Sequence, residues 1–162
     1  MEIFWQELSS GLPDTQQLAR VIIRLVAAVL LGAVIGFERE KAGKPAGLRT
    51  HILVTLGTCL FVLACAGSGM DSDGLSRVIQ GIVTGIGFLG AGSILKLNEE
   101  RDIQGLTTAA GVWITAAIGV AVGLGQLGLA LLGAILTVIF LAVLGQVDYN
   151  SGKKQAAKTE NN

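Results

Sequence analysis

The chain has 162 residues, 51% of them hydrophobic and 15% charged, with 23 glycines, a mean hydropathy of +0.64 and a formal net charge of zero. A soluble domain carries about 25% charged residues, so an ordinary soluble globule is excluded, and without a basic excess there is nothing to attract nucleic acid. Most of the length is taken up by apolar runs of about 20 residues, enough to cross a bilayer, so the expected fold is all-α: a polytopic membrane protein, a bundle of about five transmembrane helices.

Residues 1–14 read as an N-terminal interfacial segment. Ile3, Phe4, Trp5 and Leu8 group on one side of a short helix, and Trp and Phe suit the headgroup zone. The acidic start (Glu2, Glu7, Asp14) is unlike a cleavable signal, which would be basic. Asp14 is placed as an N-cap, with Gln17 at capping-box spacing.

The transmembrane domain is expected over residues 15–145. Its first span, Leu18–Phe37, carries Arg20 and Arg24 near one end and leads into Glu38 at the other. At 100° per residue Arg20, Arg24, Leu31 and Glu38 fall within about 40° of one another, so this stripe is expected to face the bundle. Gly32 and Gly36 make a GxxxG step, which lets a neighbouring backbone approach closely.

Charge is concentrated where the first apolar run gives way to the second. Glu38 and Arg39 close one run; Arg49, Thr50 and His51 open the next; Lys41, Lys44, Pro45, Gly43 and Gly47 lie between. Ionisable groups at a span end are costly unless paired or wetted. Glu38, Arg39, Arg49, Thr50 and His51 are therefore read as a polar cluster at one membrane face. The competing reading is an ordinary charged turn holding the span ends at the headgroups.

Span two, Thr50–Ala66, contains both cysteines, Cys59 and Cys65, spaced so that they do not share a helix face. They read as unpaired small hydrophobes. The polar connection Gly67–Ser76 follows, and its Asp71 and Asp73 are the expected partners of Arg20 and Arg24 on the outer side. Span three, Val78–Leu95, holds Gly81, Gly85, Gly87, Gly90 and Gly92. Each costs about 1 kcal/mol against Ala in an isolated helix. The favoured explanation is a helix packed tightly between neighbours; the other is a broken helix whose free backbone groups line a site.

A charged loop, Lys96–Gln104, leads to span four, Gly105–Val122, which opens with Thr107 and Thr108 and carries Trp113, read as a helix-packing residue. Span five is Leu124–Leu144, and residues 146–162 read as a disordered cytoplasmic tail. Gly47-Leu48-Arg49-Thr50 recurs as Gly105-Leu106-Thr107-Thr108, and this short echo would bring Thr107 and Thr108 to the polar cluster. Lys and Arg concentrate in the first and third loops and in the tail, so the N-terminus is expected outside and the C-terminus in the cytoplasm.

Several motifs in order resemble the MgtC/SapB membrane proteins: Gly36-Phe37-Glu38-Arg39-Glu40, Ala46-Gly47-Leu48-Arg49-Thr50-His51, Gly85-Ile86-Gly87-Phe88-Leu89-Gly90-Ala91-Gly92, and Gly105-Leu106-Thr107-Thr108-Ala109-Ala110 with Trp113. The resemblance covers about residues 15–145. It implies a bacterial inner-membrane protein linked to growth under magnesium limitation and, in pathogens, to survival inside host cells. The chain is similar to the short, membrane-only branch without the soluble C-terminal domain.

Two functions follow. One is a regulatory or interaction protein that packs its small-residue helix faces against a second copy, with a dimer as the default, or against another membrane complex. The other is a permease for Mg²⁺, protons or a small solute, with Glu38 as the ion site. The spans offer one carboxylate, and at an end, whereas Mg²⁺ wants an octahedron of oxygens, so the first is preferred. The residues name no metal and no cofactor, and no nucleotide-binding loop is present. The chain is not expected to be an enzyme: His51 with Thr50 or Thr55 is the sole nucleophile–base candidate.

Overall fold

The computed structural model describes residues 1–4, 14–96 and 103–159, with side chains over 1–4, 14–94 and 105–143. The helices are α1 (Thr15–Lys41), α2 (Leu48–Gly67), α3 (Ser72–Gly92), α4 (Leu106–Gly123) and α5 (Leu127–Thr159). Between α3 and α4 a two-residue antiparallel ribbon pairs β1 (Leu95–Lys96) with β2 (Ile103–Gln104), Leu95 opposite Gln104. The first four helices are each long and apolar enough to cross a membrane, and α5 carries a shorter apolar stretch, Leu127–Val143. The all-α membrane bundle anticipated from composition is therefore the observed architecture.

Helix α1 stops for local reasons. Its C-cap is Ala42, Gly43 follows at φ +66°, and Pro45 comes shortly after, so the chain turns through the left-handed conformation that glycine adopts without strain. Asp14 occupies the N-cap position of α1, but its side chain makes no cap hydrogen bond, so the expected capping box does not form. Residues 2–4 are helical; the remainder of the interfacial segment, with Trp5 and Leu8, lies outside the described residues. Helix α3 is continuous and starts earlier than anticipated, because Asp71 is its N-cap and accepts a hydrogen bond from the Gly74 amide at 2.8 Å. Helix α5 continues past residue 145 to Thr159, where a disordered tail was expected. Lys153, Lys154, Gln155, Ala156, Ala157 and Lys158 are good helix formers, which suits the continuation.

Helix α2 lies between α1 and α4, and α5 packs on α1 and α4. Helix α3 packs on α4 and more lightly on α2. The core is built from small side chains. Ala28 and Ile35 of α1, Cys59 of α2, Ile118 and Val122 of α4, and Ala130 and Ala134 of α5 form one cluster. Ala46, Val54, Ile86, Val112 and Ala116 form another. Cys59 and Cys65 are free thiols.

Glycine sets the helix spacing. A Cβ at Gly32 would run into Thr55 Oγ1 and come 2.8 Å from the His51 carbonyl oxygen; one at Gly36 would lie 2.7 Å from Leu48 Cα. The GxxxG step on α1 is thus a notch for α2. The other side of α2 meets an equivalent step, Gly119 and Gly123 on α4. A Cβ at Gly119 would run into Thr58 Oγ1 and reach 2.5 Å from the Thr55 carbonyl oxygen, and one at Gly123 would lie 2.7 Å from Val62 Cβ. The Thr55 and Thr58 hydroxyls donate to carbonyls of their own helix, at 2.9 Å to His51 and 2.8 Å to Val54. Each hydroxyl is satisfied locally and still fills a glycine notch opposite.

Helix α3 departs from expectation. A Cβ at Gly81, Gly85, Gly87 or Gly92 would meet nothing within 4 Å, and at Gly90 only Ala109, at 3.5 Å. Within one chain these glycines do not draw α3 between neighbours: only Ile86 and Gly90 of this helix are buried. Trp113 is not a packing anchor either, being 48% exposed.

Gly32→Ala and Gly119→Ala are expected to lower the melting temperature of detergent-solubilised protein by an overpacking cost of about 1–3 kcal/mol each. Gly87→Ala is expected to leave it unchanged or raise it, because alanine is the better helix former. Comparable losses for all three would show that the notches on α1 and α4 are not special.

Candidate functional site

Helix α1 buries Ala28, Gly32, Ile35, Gly36 and Arg39. At 100° per residue these fall within an arc of about 100°. The buried stripe therefore contains Arg39, and Glu38, about 100° further round, sits at its edge. Of the expected stripe, Arg20 is exposed, whereas Arg24, Leu31 and Glu38 are half-buried beside this face; the small residues fix its centre, and Arg39 shares it.

Arg39 is 2% exposed, yet its charge has partners. Its Nε donates to Glu38 Oε2 and its Nη2 to Glu38 Oε1 at 2.8 Å, so the carboxylate is gripped through both oxygens. Nη2 also reaches the Leu141 carbonyl oxygen on α5 at 3.2 Å. Two-pronged guanidinium–carboxylate pairing is among the stronger hydrogen-bonded arrangements, and here it ties the end of α1 to α5. It is the one ion pair between described residues.

His51 enters the core one turn into α2 and is fully buried. Its Nδ1 lies 2.9 Å from the Gly47 carbonyl oxygen. A carbonyl can only accept, so Nδ1 carries the proton and, in the neutral ring, Nε2 presents a lone pair. Nε2 is buried without a hydrogen-bond partner and looks toward Gly111 of α4, where an added Cβ would stand 3.8 Å away.

The rest of the expected cluster divides. Arg49, Thr50 and Thr107 are exposed. Thr108 is 2% exposed, on the first turn of α4. Glu38 pairs with its own neighbour and not with Arg49 or His51. The internal echo has a structural counterpart: Gly47 is the N-cap of α2 and Gly105 the N-cap of α4, so both copies open a helix in the same register. Glu40, which was given no role from sequence, accepts a hydrogen bond from the Leu48 amide at 3.0 Å and so places a carboxylate at the start of α2.

The outer pairing is also corrected. Arg24 Nη1 donates to the Gly123 carbonyl oxygen at 2.8 Å, at the carboxyl end of α4, where the helix dipole favours a cation. The guanidinium lies over Gly125, whose φ of +82° turns the chain into α5. Asp71 is committed to capping α3, Asp73 lies in that helix's first turn, and Arg20 is exposed. The signal overlooked was a helix end, which can hold an arginine without any carboxylate.

Among the described residues no group of three or more His, Cys, Asp or Glu side chains could hold a metal ion. A cavity of about 420 Å³ lies at the loop side, lined by Gly43, Lys44, Pro45, Ser93, Gly105, Thr107 and Thr108. Between α2 and α3 an apolar groove of about 510 Å³ is lined by residues including Thr58, Phe61, Gly81, Gly85, Ile86 and Leu89.

The MgtC family profile matches residues 25–149. The putative magnesium transporter YhiD of Escherichia coli strain K12 is 43% identical over 138 residues, covering 81% of this chain and 63% of that protein. Protein SrpB of Synechococcus elongatus is 45% identical over 130 residues, covering 74% and 71%. Protein MgtC of Salmonella typhimurium is 48% identical over 115 residues, covering 71% of this chain and 48% of that protein. The match thus spans between about half and seven-tenths of these relatives' lengths. No solved structure matches the chain.

Glu38→Gln is expected to destabilise the protein by about 3–5 kcal/mol, since it leaves a buried guanidinium without its counter-charge. Glu40→Gln is expected to cost about 1 kcal/mol, as for a helix cap. Adding Arg39→Met to Glu38→Gln should recover most of the loss. Thermal melts of the three variants in detergent measure this, and equal shifts for Glu38→Gln and Glu40→Gln would count against the buried pair.

Proposed function

The chain belongs to the MgtC family, and from that premise we propose that it is a regulatory membrane protein of magnesium homeostasis, or of adaptation to low magnesium, acting through helix packing rather than catalysis. The observation that carries this reading is the state of Glu38. Both of its oxygens are held by Arg39, whereas a Mg²⁺ path needs oxygens free to replace water around a hard cation. The link to magnesium comes from the relative named as a putative magnesium transporter.

The surface assigned to the interaction is the α2/α3 groove with the Gly81 and Gly85 stripe beside it. The occupant we assign is a second copy of the chain, because the same small-residue stripe on two copies is self-complementary about a two-fold axis. A different membrane complex is the other outcome of the test. The bacterial inner membrane is the location that fits, with the N-terminus outside and the C-terminus in the cytoplasm, since the basic loops then lie on the cytoplasmic side.

One observation favours a second reading, a cation or proton-coupled permease. The lone pair of His51 Nε2 is buried among spans without a donor, and such a group could carry a proton between the two faces.

Purified protein in liposomes separates the two. No protein-dependent flux of Mg²⁺, Na⁺ or H⁺ is expected. A flux removed by His51→Asn would replace the regulator with the permease. In native membranes, Gly85→Cys is expected to yield a disulfide-linked dimer that the parent chain does not form. A Gly85→Cys protein that stays monomeric, or links to another protein, would remove the second copy from the groove.

A further inference from the structure

The two echoed helix starts differ in one respect. At the start of α2, capped by Gly47, the Leu48 amide is met by the Glu40 carboxylate at 3.0 Å. At the start of α4 the cap is Gly105, which has no side chain to offer, and no described side chain takes the place that Glu40 takes at α2. The first amides of a helix have no partners within it, and with the dipole they favour an anion. Helix α4 is 18 residues long, so this end is well developed.

The start of α4 opens into the cavity of about 420 Å³ lined by Lys44, Pro45, Ser93, Gly105, Thr107 and Thr108. Thr108 lines it while being 2% exposed, and its hydroxyl makes none of the back-bonds to a preceding carbonyl that Thr55, Thr58, Thr115 and Thr137 make. Among the described residues no side-chain hydrogen bond engages this hydroxyl, which borders the cavity. Lys44 lines the wall, its backbone fixed by a turn in which its own amide donates to the Arg39 carbonyl oxygen at 3.0 Å, and its exposed side chain carries the positive charge of this lining. Among the described residues the neighbouring carboxylate, Glu40, is already engaged at α2.

We propose that this cavity is a binding site for a phosphate oxyanion, seated at the amino end of α4 on the Thr107 and Thr108 hydroxyls and the free amides, with Lys44 as counter-charge. The anion does for α4 what Glu40 does for α2. The volume accommodates inorganic phosphate or the phosphate of an anionic phospholipid headgroup, and the position at a helix end beside the first loop is reachable by either. The site does not depend on whether the protein regulates or transports.

The test uses the full chain. Inorganic phosphate is titrated by calorimetry into protein in neutral detergent, and native mass spectrometry follows phosphatidic acid or phosphatidylcholine retained from nanodiscs. Thr108→Val removes the buried hydroxyl at nearly constant shape. Lys44→Gln removes an exposed charge without touching the core. Lys41→Gln, outside the cavity, is the control. Saturable phosphate binding weakened about tenfold or more by both cavity variants, the loss expected for one hydrogen bond to a charged group, and untouched by Lys41→Gln, establishes a site for the free ion. Retention of phosphatidic acid but not phosphatidylcholine, lost in the same two variants, establishes a headgroup site. The proposal is overturned if neither probe binds, or if both cavity variants bind as the parent does.

Discussion

The fit of α2 between two glycine notches is the constraint on which the other features depend. In a bilayer the lipid tails are as apolar as any leucine, so burying hydrophobic surface does not by itself join helices. Close approach must supply the attraction through dispersion and weak Cα–H···O contacts. Gly32 and Gly36 on one side and Gly119 and Gly123 on the other let α1 and α4 approach the α2 backbone directly. The Thr55 and Thr58 hydroxyls would be an expense in this core if unpaired. They are bonded to carbonyls of their own helix, so their volume fills the notches without leaving a donor unsatisfied.

That spacing explains the two arginines. Once α1 is turned so that Gly32 and Gly36 face α2, Arg39 must also point inward, because it lies on the same stripe. A buried guanidinium is tolerable only with partners. The neighbouring Glu38 and the Leu141 carbonyl of α5 supply them. At the other end Arg24 finds the carboxyl end of α4 through Gly123. Both arginines therefore act as crosslinks between helices that are not adjacent in sequence. His51 is the exception. It is carried inward by the same packing with one nitrogen satisfied and the other bare, and it is the polar group whose burial the fold does not repay internally.

Which segments are helices was readable from the sequence, because run length and hydropathy respond directly to bilayer thickness. Which face of each helix points inward was not. Amphipathic periodicity separates core from water in a soluble protein, but in lipid both faces are apolar and the signal disappears. The stripe of Arg20, Arg24 and Glu38 was read by charge, whereas the structure follows the smallest side chains. The Gly32–Gly36 step was recognised; the equivalent step at Gly119–Gly123 went unused although its spacing is the same. Span three misleads in the opposite sense: Gly81, Gly85, Gly87 and Gly92 resemble a packing face, yet among the described residues a Cβ added at any of them would meet nothing within 4 Å. Glycine spacing shows where a neighbour can come close, and a partner must be present before it does so. The opposed charges of Arg20 or Arg24 and Asp71 or Asp73 also suggested pairs, but helix ends competed for the same groups and won, with Asp71 at an amino end and Arg24 at a carboxyl end.

The sequence echo between the starts of α2 and α4 gains its meaning from an asymmetry. Both copies begin with a glycine at the cap, a residue with no side chain to satisfy the first amides. A helix start of that kind must borrow its acceptor. Helix α2 borrows Glu40, which the tight turn through Gly43 brings back over Leu48, since a residue at the end of α1 is only a short loop away. Helix α4 follows the β1–β2 ribbon, and among the described residues its amino end faces Lys44 and two threonines instead of a carboxylate. Donors and positive charge converge there from the first loop, through Lys44, and from the first turn of α4, through Thr107 and Thr108. The two copies share a glycine at the cap but reach it differently, extended at Gly47 and left-handed at Gly105, and only the first has its acceptor supplied by a described side chain, which is the physical difference between a structural helix start and one able to receive a ligand.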